Sequence, residues 1–183
     1  MRTSARFGRT DLELTRGDIT AQPDLDAVVN AANAQLTTGG GVAGAIHRAA
    51  GPELDRACRP LAPIAPGEVV ATDAFGLPNR GVLHALGPVY GRDQPAEVLL
   101  ADCYRRALEL AAAEGLLSVG FPALSTGAFG YPVRPAAEVA LTTVKDVLVA
   151  GSPLQLVRFV LFSAGDLDVH AEVLAAIVDA ESG

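Results

Sequence analysis

The chain has 183 residues, half of them apolar and 19% charged, with a net charge of −7. That length makes one domain over 1–183 the expectation and lets the chain bury a substantial core. The acidic balance argues against free nucleic acid or an anionic membrane as partner, because both need clustered Lys and Arg.

Residues 1–7 lack the apolar core of a secretory signal, and no apolar run reaches the roughly 18 residues of a membrane span. Cys58 and Cys103 have the spacing of neither a zinc site nor a redox pair, so both read as buried thiols in a reducing, cytoplasmic setting. No His/Cys/Asp cluster has metal-ligand spacing, and neither a metal nor another cofactor is expected.

In chain order, Phe7 to Leu14 alternates apolar and polar residues and predicts one edge or antiparallel strand. Ala27-Val28-Val29 predicts a buried strand that ends in Asn30-Ala31-Ala32-Asn33. The chain then passes Gly39-Gly40-Gly41 and turns helical from Val42 to Ala50. A second short helix is predicted from Pro52 to Cys58, and strands at Val69–Thr72 and Val82–Leu86. Gln94 to Glu114 has helical spacing and stops at Gly115.

Leu116–Phe121 predicts a further strand, followed by a second glycine turn, Ser125-Thr126-Gly127-Ala128-Phe129-Gly130. A helix over 135–149, a strand over 156–162 and a closing helix over 167–180 complete the chain. Strand and helix alternate, so the predicted fold is a three-layer α/β/α sandwich with a mixed, mostly parallel sheet. Both glycine turns follow a strand and should meet at one crevice of the sheet. Without Cβ atoms their backbone N–H groups can close around a phosphate, pointing to a nucleotide or phosphorylated sugar.

Five segments in register carry a resemblance: Gly17-Asp18-Ile19-Thr20, Asn30-Ala31-Ala32-Asn33, Gly39-Gly40-Gly41-Val42, the Gly44–Gly51 helix, and Ser125-Thr126-Gly127-Ala128-Phe129-Gly130-Tyr131-Pro132. Together they closely resemble the macrodomain family, in its MacroD-like branch of ADP-ribose-binding proteins and ADP-ribosyl hydrolases. The resemblance implies that Asp18 accepts a hydrogen bond from the adenine amino group, with the Ile19 backbone beside the ring. A carboxylate suits that role because it only accepts; the alternative is an ordinary turn or cap aspartate. Asn33 would orient the distal ribose, and Gly39, Gly40, Gly41 and Val42 would line it and one side of the diphosphate.

Asn33 and Gly41 are thus the implied catalytic pair, the latter through the loop that places water. Asn30 would support that loop. Ser125, Thr126, Gly127, Ala128, Phe129 and Gly130 would hold the diphosphate from the other side. Phe129 would also cover the distal ribose, against the alternative of core packing. Phe162 would stack on adenine, with core packing equally open, since Phe159 shares its strand. His47, His84 and His170 are read as structural.

One departure stands out. Hydrolytic members resemble Gly-Val-Asp-Gly where this chain has Gly41-Val42-Ala43-Gly44. Coronaviral members also carry alanine there and resemble hydrolases. The resemblance therefore implies hydrolysis of mono-ADP-ribosylated protein (acidic-residue ester) or of O-acetyl-ADP-ribose, slowed by Ala43. The alternatives are a non-catalytic ADP-ribose reader or an ADP-ribose 1″-phosphate phosphatase. ADP-ribose and ADP-ribosylated proteins are the expected partners, and a monomer the expected state.

Overall fold

A computed structural model describes residues 1–183. The chain opens on a hairpin in which β1 (Ser4–Phe7) turns at Gly8-Arg9 into β2 (Thr10–Arg16), with Phe7 opposite Thr10. The one strand expected over 7–14 is therefore parts of two. The buried positions run Phe7, then Thr10, Leu12 and Leu14, so the turn shifts the period by one residue, but with Phe7 alone ahead of it in that window the shift goes unmarked. Gly8 permits the reversal: its φ is +59°, and a Cβ there would lie 2.7 Å from the Leu148 carbonyl oxygen.

The remaining elements lie within a few residues of their predicted spans. They are β3 (Ala27–Ala31), α1 (Gly41–Ala50), α2 (Pro52–Cys58), β4 (Val69–Asp73), β5 (Gly81–Ala85), α3 (Ala96–Ala113), β6 (Ser118–Phe121), α4 (Val133–Gly151), β7 (Leu156–Leu161) and α5 (Ala164–Glu181). Local chemistry sets their ends. Pro52 opens α2. Gly115, at φ +72°, ends α3 and lets the Leu116 N–H return to the Ala111 carbonyl. The Ser163 hydroxyl caps α5 by accepting from the Asp166 N–H at 3.1 Å.

Seven strands form one sheet in the order β1-β2-β7-β6-β3-β5-β4. From β2 to β5 every neighbouring pair is parallel, and the edge strands β1 and β4 are antiparallel. Helices α3, α4 and α5 pack on one face around Tyr104, Phe121 and Phe159. On the other face, α1 and α2 bury Ile46 and Leu54 against Val28 and Val82. Ala27, Val28 and Val29 are fully buried, as a parallel strand covered on both faces must be. The expected α/β/α sandwich is the observed one.

Five parallel strands pointing one way bring the segments after them to a single edge of the sheet. Those segments carry Asp18 (after β2), Phe162 (after β7), Ser125–Gly130 (after β6), Asn33–Gly40 (after β3) and Gly87–Tyr90 (after β5). Two hollows of about 380 and 430 Å³ lie at the opposite edge, beside Gly8 and Pro153 and beside Asp73 and Arg80. Neither includes a predicted site residue. No helix is long and apolar enough to cross a membrane.

Candidate functional site

Strands β3 and β6 are hydrogen-bonded neighbours, so the two glycine loops that follow them emerge side by side. In the first loop, the Asn33 side chain ties down the turn. Its Nδ2 donates to the Thr37 carbonyl at 2.9 Å and its Oδ1 accepts the Thr37 N–H at 3.1 Å. Leu36, at φ +56° and fully buried, anchors the same turn in the smaller core. Sequence pattern alone does not single Leu36 out, since one leucine in a polar loop has no period.

Helix α1 begins at Gly41 (φ +57°) with no side-chain cap and no acidic residue in its first turn. The N–H groups of Gly39, Gly40, Gly41, Val42 and Ala43 donate to no backbone acceptor. A helix start left open in this way attracts an anion. Gly44 packs directly under the loop, where a Cβ would overlap the Gly39 carbonyl oxygen.

The second loop has the same character. Ser125 is held at φ +66° and Gly130 at +74°. The turn closes through Tyr131 N–H to the Ser125 carbonyl and Gly130 N–H to the Gly127 carbonyl. The N–H groups of Gly127, Ala128 and Phe129 donate to no backbone acceptor. The Ser125 hydroxyl is buried and makes no hydrogen bond. The segment after β5 braces this loop: Tyr90 N–H donates to the Phe129 carbonyl at 2.8 Å, and a Cβ on Gly87 would overlap the Ser125 Oγ. Gly87 is a requirement that sequence reading missed, because Gly-Pro after a strand looks like any turn. Thr126 turns its hydroxyl back to the Ala123 carbonyl.

The open alternatives for individual residues resolve in different ways. Phe162 is 90% exposed while Phe159 is fully buried, so Phe162 is no part of the core. Phe129 is half-buried against the smaller core and leaves part of its ring open. Asp18 forms the turn: its Oδ1 accepts from the Thr20 N–H at 2.9 Å and the Thr20 hydroxyl at 2.7 Å. Those bonds hold its carboxyl below the usual carboxylate range, so it stays an acceptor. Its Oδ2 makes no hydrogen bond within the protein, nor does the Ile19 N–H beside it. Turn residue and available acceptor coexist in one side chain.

The polar and titratable groups nearby are buried. Asn30 is buried and hydrogen-bonded to His84, in keeping with a role under the loop. His47 is buried in α1 with Nε2 unpaired, and burial lowers its pKa. Burial pushes the Cys58 and Cys103 thiols up to about 11 and about 12, so neither is a ready nucleophile. No group of three His, Cys, Asp or Glu side chains is placed to hold a metal ion.

This sheet order and layering define the macrodomain fold. Residues 29–140 match the macro domain family, and the chain belongs to it. It is similar to an O-acetyl-ADP-ribose deacetylase of Klebsiella pneumoniae, 45% identical, covering 90% of this chain and 96% of that one. Its structure is similar to that of the Oceanobacillus iheyensis macrodomain with ADP, at TM-score 0.93 and 41% identity, covering 97% and 96%. A Trypanosoma brucei macrodomain in complex with ADP-ribose also superposes, at TM-score 0.84 and 41% identity, covering 89% of this chain and 68% of that one.

Proposed function

We propose that the protein binds ADP-ribose across the carboxyl edge of its sheet and hydrolyses ADP-ribosyl esters. The substrates are mono-ADP-ribosylated acidic side chains or O-acetyl-ADP-ribose, and ADP-ribose is released. The observation that carries this reading is the pair of open N–H runs, Gly39–Ala43 and Gly127–Phe129, on loops that follow adjacent strands. An acidic protein with no basic cluster holds a diphosphate best with such fixed backbone dipoles. The deacetylase relative and the two ligand-bound relatives support the choice of ligand.

In this reading the Asp18 Oδ2 and the Ile19 N–H meet the adenine edge, and the Phe162 ring stacks on the base. Asn33 and the Gly39–Val42 turn hold the distal ribose, covered by Phe129. For an ester at C1″, water attacks that carbon, the C1″–O bond breaks, and the carboxylate leaves. Because cleavage at an anomeric carbon develops oxocarbenium character, placement of the water matters more than its basicity. Ala43 supplies no base, so the substrate's diphosphate takes the proton, with Gly41 in the loop that places the water.

Calorimetry with ADP-ribose tests binding, and release of free ADP-ribose from an ester-modified protein and from O-acetyl-ADP-ribose tests turnover. Absence of heat at millimolar ligand overturns the whole reading. Binding without release leaves the second reading, a non-catalytic reader, which the apolar, buried Ala43 favours. Asn33→Ala separates the two: turnover should fall about 10²-fold by misplacement of the sugar, with a smaller change in binding.

A further inference from the structure

Arg158 lies in the middle of β7, opposite Glu13 on β2 and Gly120 on β6. Its side chain is 14% exposed on the sheet face that the segment between β2 and β3 crosses. That segment runs close: a Cβ on Gly120 would come within 2.7 Å of Leu25 Cδ1 and 3.5 Å of Ile19 Cδ1. The guanidinium donates from Nε to Glu13 at 2.9 Å, from Nη1 and Nη2 to both oxygens of Asp24 at 2.9 and 2.7 Å, and from Nη1 to the Gln22 Oε1 at 3.0 Å.

The contact with Gln22 reaches furthest. With Oε1 committed to Arg158, the amide turns its Nε2 to the Asp18 carbonyl, 3.0 Å away. The Gln22 main chain is fixed as well, since its carbonyl accepts from the Asn79 side chain at 2.8 Å. A continuous path of hydrogen bonds therefore runs from the rigid strand β7 through Arg158 and Gln22 to the peptide joining Asp18 and Ile19. That peptide carries the unpaired Ile19 N–H, and beside it the Asp18 side chain carries the unpaired Oδ2.

We propose that Arg158 is a positioning residue for base recognition. Through Gln22 it holds the Asp18–Ile19 peptide in the register that reads an adenine amino edge and rejects a carbonyl. The base contact itself rests on the ADP-ribose reading above. The ion pairs alone do not account for so elaborate a cluster. Glu13 and Asp24 remain 42% and 57% exposed, so water replaces the guanidinium at little cost to stability. What water cannot replace is a planar fork that sets the orientation of an amide.

The test compares Arg158→Met and Gln22→Met with the wild-type protein. Calorimetry gives the affinities for ADP-ribose and its hypoxanthine analogue, and amide exchange of Ala21, whose N–H donates to the same Asp18 carbonyl at 3.1 Å, is followed without ligand. Both variants should keep the wild-type melting temperature within a few degrees. Their preference for adenine over hypoxanthine should fall about threefold to tenfold, and exchange at Ala21 should accelerate by a similar factor.

An unchanged preference in either folded variant overturns the proposal. If the wild-type protein binds neither nucleotide, the ADP-ribose reading fails separately. Exchange at Ala21 then judges the brace: acceleration in both variants upholds it, and wild-type exchange in either overturns it.

Discussion

The Asn30 side-chain Nδ2, at the end of β3, lies 3.1 Å from the His84 Nδ1 on the neighbouring strand β5. With the amide donating, the ring carries its proton on Nε2 and gives it to the Thr72 hydroxyl at 2.9 Å. That hydroxyl in turn donates to the Asp73 carbonyl. A polar chain thus crosses β3, β5 and β4 beneath the first glycine loop, and it requires a neutral imidazole. Burial, with His47 nearby, pushes the His84 pKa down to about 4.

The consequence is a pH-dependent stability of known sign. An unfolded histidine titrates near 6.5. Between there and about 4 the unfolded chain binds a proton that the native His84 refuses. Stability is therefore full above 6.5 and declines as pH falls through that window, by on the order of 3 kcal/mol. His84→Gln, which cannot take up the proton, should flatten this part of the profile. Urea midpoints at pH 7, 5.5 and 4.5 check it; a slope as steep as wild type places the titration elsewhere.

Gly44→Ala sets two effects of opposite sign against each other. Within a helix the exchange is normally stabilising by up to about 1 kcal/mol. Here the new methyl overlaps the Gly39 carbonyl oxygen, and overpacking against backbone costs about 1–3 kcal/mol. We expect a net loss of stability and a displaced Gly39–Gly41 turn, with at least a tenfold weaker ADP-ribose affinity. Thermal unfolding and calorimetry on one sample measure both.

Phe162→Ala should leave the melting temperature almost unchanged, because a ring that is 90% exposed contributes no burial to the fold. Affinity for ADP-ribose should drop about fivefold to tenfold, the usual worth of a base stacked on an aromatic ring. Equal affinity in the variant removes Phe162 from the site.

Ala43→Asp introduces a carboxylate at a buried position in the first turn of α1, where open N–H groups favour negative charge. If water placement without a base limits turnover, release of ADP-ribose should rise about 10²-fold, the lower end of what a general base supplies. No rise, with the fold intact by thermal shift, assigns the water to another position.

Much of the candidate site was legible before folding, because its geometry is local. Gly39-Gly40-Gly41 and Ser125–Gly130 each leave N–H groups of their own backbone open, so a short motif carries the geometry with it. The same holds for Asp18, whose partner Thr20 is two residues away. The hairpin at Gly8 was not legible, since a single apolar residue, Phe7, stands ahead of the turn in that window and one residue defines no period to be broken.

What the sequence by itself determined was the succession of strands and helices and the two open loops, since spacing and glycine content act over a few residues. Only the tertiary structure decided that Phe162 faces water while Phe159 fills the core, and that Gly87 must yield to the Ser125 hydroxyl. It also decided that Arg158 reaches back to Gln22. These relations join residues from distant parts of the chain, and the sheet order β2-β7-β6-β3-β5 brings them together. That order follows from burying two apolar faces at once, a property of the whole chain that no local pattern contains.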